Sequence, residues 1–311
     1  MTVVALAGGV GGARLCEGLQ AVLPPGDLAV VVNTGDDTER HGLLVCPDHD
    51  TVLYTLAGIA DPTQGWGIAG ESWTVMDRLA ELGEETWFRL GDRDIATHIA
   101  RTARLRAGAR LTEVSLAIQA ALGVRSRILP MSDTPVRTRV LSDDGWLAFQ
   151  DYFVRLRQAP EVRAVSFDGA DDAEPTPEVV GALDAASILV ICPSNPIVSV
   201  GPILAIRGLR DAIRGARARG VRTAAVSPIV GGKALKGPAD RMLASLGHEV
   251  SAVGVARLYA GLVDVFVIDA EDAALAPAVE DLGMRALVTD TIMVDAGARA
   301  RVARETLAAL G

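Results

Sequence analysis

Four carboxylates fall within fifteen residues in NTGDDTERHGLLVCPDHDTVLYTLAG (33–58): Asp36, Asp37, Asp48 and Asp50. No cysteine or histidine set with metal-ligand spacing supports them, so the cluster suits a hard, oxygen-seeking cation such as Mg²⁺. An ion of that kind neutralises a diphosphate and steadies the charge that moves in phosphoryl transfer. Turn and capping chemistry competes for the same side chains, because Asp36 follows an apolar strand and Asp48 and Asp50 open a helical pattern. Capping explains one of the four but not all of them together. His41 and His49 flank the cluster, and isolated histidines are more often solvated or hydrogen-bonded than catalytic.

The stretch ALAGGVGGARL (5–15) places four glycines between a strand and a helix. Such a loop lets backbone N–H groups approach a phosphate at the positive end of the helix, with Gly9, Gly11 and Gly12 as the candidates. It fails as a dinucleotide fingerprint, since Arg14 stands where the third glycine belongs and the second strand ends in Asn33 instead of an acid. It also lacks the Gly-Lys-Ser/Thr of a P-loop. A phosphate or nucleotide is the expected ligand, a plain packing turn is the alternative, and hydride transfer is disfavoured.

A third stretch, SPIVGGKALKGPADR (227–241), holds the protein's only two lysines, Lys233 and Lys236, among 30 basic residues. A lysine is a compact point charge on a thin stem and fits a crowded phosphate pocket better than a planar guanidinium. Gly231 and Gly232 would let the backbone approach the same anion. Lys233 therefore ranks first as a phosphate ligand and Lys236 second; two ordinary surface lysines are the competing reading.

These residues need a frame, and the chain supplies one. Short Val/Ile-rich runs at 2–7, 28–33, 187–195, 222–230, 264–269 and 285–290 alternate with helical patterns, as in repeated βαβ units. Most end in Ser, Asn or Asp, where a parallel sheet places its ligand loops. The expected fold is α/β, a Rossmann-like, mostly parallel sheet with helices on both faces, in a single domain over 1–311. Residues from about 60 to 175 read as a helical and antiparallel insertion, with a helix at 111–123 and a β-hairpin around Asp144-Gly145.

Composition narrows the partners. The formal net charge is −9 with no basic block to offset it, so a nucleic-acid backbone is not expected. No apolar run reaches the ~20 residues of a membrane span, and Cys16, Cys46 and Cys192 are isolated, as in reduced proteins. A cytoplasmic location follows as the expectation.

Taken in order, GGVGGARL, NTGDD, CPDHDTVLYTLAG, WFRLGDRDIATHIART, LTEVS, GVRSRILPMSD, PSNPIVSVGPIL and SPIVGGKALKGPADRML resemble the 2-phospho-L-lactate transferases of coenzyme F420 biosynthesis, from residue 2 to about 270. The resemblance implies that the ribityl hydroxyl of the deazaflavin Fo attacks the β-phosphorus of a guanosine diphosphate ester, expelling GMP. It implies Mg²⁺ and a homodimer. It makes Asp50, Thr51 and Arg89 deazaflavin contacts, puts Asp36 or Asp37 beside Asp50 near metal, and assigns Ser194, Asn195, Pro196, Ser199 and Ser227 to the nucleotide. The absence of a Ser-His-Asp set suits direct displacement. A nucleotide-sugar-binding regulator of the same fold, without transferase activity, is the alternative.

Overall fold

The computed structural model describes all 311 residues. Seven strands form one parallel sheet: β1 (Val3–Ala7), β2 (Leu28–Val32), β3 (Arg127–Pro130), β4 (Ile188–Ile191), β5 (Arg222–Val226), β6 (Val265–Asp269) and β7 (Arg285–Thr289). Their spatial order is β7-β6-β5-β4-β1-β2-β3, with every pair parallel.

The apolar runs are continuous because the central strands are covered on both faces. Val3, Ala5 and Ala7 of β1 enter one core with Val30, Val32 and Val190. Val4 and Leu6 enter the other with Val31, Leu189 and Ile191. Helices α1 (Gly9–Val22), α2 (Pro47–Leu56) and the C-terminal α5 (Ala296–Ala308) pack on the first face, and helices 177–185, 209–218 and 252–258 on the second. This is the doubly wound α/β arrangement expected from the pattern of strands.

The stretch 60–175 is not wholly peripheral. It carries helices α3 (Asp92–Arg106) and α4 (Leu111–Ala121), and an antiparallel sheet in which Arg137–Ser142 pairs with both Gly145–Ala148 and Ala164–Asp168. Yet β3, from the middle of that stretch, is the edge strand of the main sheet, because Ile128 and Leu129 are fully buried beside β2.

A second difference lies after β5. The run expected as one strand to 230 stops at Val226, and Ile229–Val230 folds back on Lys233–Ala234 as a two-residue hairpin. Gly231 and Gly232 have φ of 56° and 73°, the left-handed pair that a type I′ turn requires. No helix is long and apolar enough to cross a membrane.

Candidate active site

The sheet order reverses between β1 and β4, where a parallel α/β sheet leaves a crevice at its carboxyl ends. The two strands are 186 residues apart in sequence at the point where Gly8 N donates to Ser194 Oγ (3.0 Å). A cavity of about 530 Å³ opens there. One wall is made by Gly9, Gly11, Ser194, Asn195, Ser199 and Ser227, all at the ends of sheet strands or just beyond. Four aromatic side chains, Trp66, Phe88, Phe149 and Phe153, also line it, and Trp66 follows Gly65, whose Cβ would meet Val10 of the glycine loop at 2.9 Å.

Asp36 and Asp48 line the same cavity. Asn33 Nδ2 donates to Asp48 Oδ2 (2.9 Å) and to Asp36 Oδ1 (3.4 Å), and the Asp48 backbone N–H donates to Asp36 Oδ2 (3.1 Å). Gly8 must be glycine for the pair to sit there, because a Cβ would fall 2.2 Å from Asp48 Oδ2. Burial, then the charges of Asp48 and Asp37, hold the Asp36 carboxyl well above its ordinary range, and burial raises Asp48 as well. Neither is in an ion pair, whereas their neighbour Asp50 is. A buried carboxylate beside a half-buried one, with no cation, is an electrostatic deficit that a cation would fill.

Asp50 and Asp37 are already provided for. Burial would push Asp50 up, but the Arg101 guanidinium overrides it and holds the carboxyl below the usual range. Arg101 Nη1 donates to Asp50 Oδ2 (3.0 Å) while Nη2 donates to Oδ1. Asp37 does not line the cavity; it accepts from Cys46 Sγ (3.2 Å). Burial raises it to about 7, against the opposing pull of Arg137. Asp50, Asp94 and His98 bring ligand atoms within 4.8 Å of one another, a group whose spacing could hold a metal ion. Arg101 competes for that place, with Nη1 3.2 Å from His98 Nδ1.

Of the remaining expected residues, Thr51 lines the cavity from α2, and exposed Arg89 stacks 4.2 Å above the Trp73 ring and also reaches the lining. Asn195 Oδ1 accepts from Ile197 N (2.9 Å), and Ser227 Oγ closes a local turn with Ile229, so turn chemistry uses both side chains. Pro196 and Gly12 stay outside the lining. So do Gly231, Gly232 and Lys233: the Gly231 N–H donates to Asp272, and the hairpin carries Lys233 into solvent. The lysine that lines the cavity is Lys236, whose Nζ donates to Gln64 O (3.1 Å) at the mouth. His41 is a hairpin residue with φ of 50°, and His49 is buried 3.6 Å from Asp50 Oδ1.

Three features escaped sequence reasoning. Arg14, noted only as a break in a glycine pattern, is a cation in the cavity lining. Phe149 and Phe153 had no spacing to mark them. Arg101, one of several arginines along α3, is fully buried. Its signal was present: Asp94, His98 and Arg101 recur at i, i+4 and i+7, one face of α3, alongside buried Ile95 and Thr102.

Similarity to known proteins runs along nearly the whole chain. The family model described as 2-phospho-L-lactate transferase CofD matches residues 3–303. A phosphoenolpyruvate transferase of Streptomyces griseus is 45% identical over 99% of this chain and 98% of its own. A 2-phospho-L-lactate transferase of Methanosarcina mazei is 40% identical over 94% of each chain. Among solved structures, a UPF0052-family protein of Bacillus halodurans superposes with a TM-score of 0.63 over 98% of both chains, at 16% identity. That likeness supports the fold.

Proposed function

The chain belongs to the 2-phospho-L-lactate transferase CofD family and is a transferase; on that premise we propose that it acts in coenzyme F420 biosynthesis, moving a phosphorylated three-carbon acid from a guanosine diphosphate ester to the deazaflavin Fo. One observation carries the reading: a single cavity is lined by a phosphate-type glycine loop at the sheet crevice, by four aromatic side chains and by the carboxylates Asp36, Asp48 and Asp50.

Mg²⁺ fits the Asp36–Asp48 pair, an all-oxygen donor set lacking a counter-charge, and when bound it would neutralise the donor's diphosphate. Arg14 and Lys236 add positive charge on the donor side. The aromatic wall takes the deazaflavin ring, and Asp50 Oδ accepts a hydrogen bond from the ribityl hydroxyl and orients it. The hydroxyl oxygen forms a bond to the β-phosphorus, and as it does so its proton passes to Asp50 and on to solvent. The bond from that phosphorus to the bridging oxygen breaks, and GMP leaves with the electron pair. A loose transition state asks for placement more than for a strong base, which suits a carboxylate held ionised by Arg101.

The direct test is GMP release. The protein would be incubated with Fo, Mg²⁺ and the enolpyruvyl or the lactyl diphosphate ester of guanosine, and the product weighed by mass spectrometry. Both donors are included because relatives are named for each; their products differ by one pair of hydrogens. Binding of a donor with no GMP from either would favour the regulator.

The two walls should also separate by substitution. Arg89→Ala is expected to weaken Fo binding about tenfold, the scale of a cation–π stack, and to leave GDP affinity within about twofold. Calorimetry with each ligand alone reads this out, and equal losses would misplace the acceptor wall.

A further inference from the structure

Arg101 heads the fully buried side chains in size, yet it lies behind the cavity wall and not in it. Its guanidinium donates two bonds to the Asp50 carboxylate, one to each oxygen, and Nη1 also reaches Leu44 O (3.3 Å) and His98 Nδ1 (3.2 Å). On the far side of the imidazole, His98 Nε2 is 3.2 Å from Asp94 Oδ1, which accepts from Tyr54 OH (2.6 Å). Asp50, Tyr54, Asp94 and His98 all line the cavity. One buried cation thus backs four wall residues.

Stability alone gives no reason for this arrangement. Desolvating such a pair costs several kcal/mol, and apolar replacements of similar volume are often as stable or more so. What a guanidinium adds is geometry, since its planar fork fixes the plane of a carboxylate through two parallel bonds, and a lysine at the same place supplies charge without the fork.

We propose that Arg101 is a positioning residue for the transfer: its fork locks the Asp50 carboxylate at the angle from which Asp50 orients the acceptor hydroxyl. The proposal rests on the transferase reading above, in which that hydroxyl meets Asp50. It leaves the donor wall untouched, so its loss must show in turnover and not in nucleotide affinity.

The experiment uses the full chain with Arg101→Lys. The expected result is a folded protein whose kcat falls about 10²-fold, the scale of an ångström-sized misplacement, with GDP affinity within about twofold of wild type. Unchanged kcat, or GDP affinity that falls in step with kcat, overturns the proposal and makes Arg101 a structural residue. Should Arg101→Lys not fold, Arg101→Gln, which keeps Asp50 and one donor but not the fork, decides. GDP affinity near wild type with kcat lowered about 10²-fold supports the proposal, and unchanged kcat, or GDP affinity that falls in step with kcat, overturns it. Wild-type protein is assayed first; if it releases no GMP from either donor, the transferase reading fails and takes this proposal with it.

Discussion

Asp36→Asn is expected to slow transfer about 10²- to 10³-fold, the loss that follows removal of one preorganised electrostatic contact, and also to stabilise the metal-free protein at neutral pH. Both effects come from one deficit. Asp36 is buried beside Asp48 and Asp37, and its carboxyl is held well above its ordinary range; Asp37 stands at about 7 against an ordinary 3.8. Below about pH 4 these groups carry protons in both folded and unfolded chains. Between there and about pH 7 the folded chain retains protons that the unfolded chain has shed, so stability falls as pH rises through this window. Metal-free wild type should therefore melt lower at pH 7 than at pH 5, Mg²⁺ should restore the difference, and Asp36→Asn should flatten both responses. Melting curves at several pH values with Mg²⁺ or with EDTA test this. Full activity in excess EDTA would remove the metal from the mechanism.

Lys236→Ala is expected to raise the Kd for GDP about 10- to 100-fold, in line with the ~1.5–3 kcal/mol of a charge-assisted contact, while Lys233→Ala changes it less than about twofold. Proximity to the glycine pair ranks Lys233 first in sequence, and the hairpin reverses that order. Its turn points Lys233 to solvent, and the chain then returns to the cavity mouth at Leu235 and Lys236. Calorimetry of both variants at one salt concentration separates them. A larger loss at Lys233 would mean that the hairpin rearranges around the donor.

Where chemistry coincided with local pattern, the sequence was readable. The apolar strands, the glycine loop after β1 and the carboxylates after β2 each follow from short-range rules, because a strand covered on both faces must be apolar throughout and its ligand loop must follow its carboxyl end. What stayed hidden depended on distant partners. Arg101 looks like any helical arginine until Asp50, 51 residues earlier, is seen to need it. Gly231 and Gly232 suit an anion or a turn equally well, and only the pairing of Val230 with Lys233 chooses between them. The edge strand 127–130 is too short to stand out from the helices around it, and its place is set by β2.

The crevice between β1 and β4 also bears on how the protein comes off the ribosome. Gly8 meets Ser194, and α1 lies against α5, where a Cβ on Gly18 would sit 2.2 Å from Arg299 O. A nascent chain that ends before Ser194 has the glycine loop, the carboxylates and the aromatic residues of the cavity but lacks the loop that Gly8 meets. The helix that the glycine loop opens gains α5 as a packing partner only when residues 296–308 emerge. The cavity is thus assembled from segments far apart in the chain, and its lining is incomplete until residues 193–239 and then Thr291 and Met293 have joined the glycine loop.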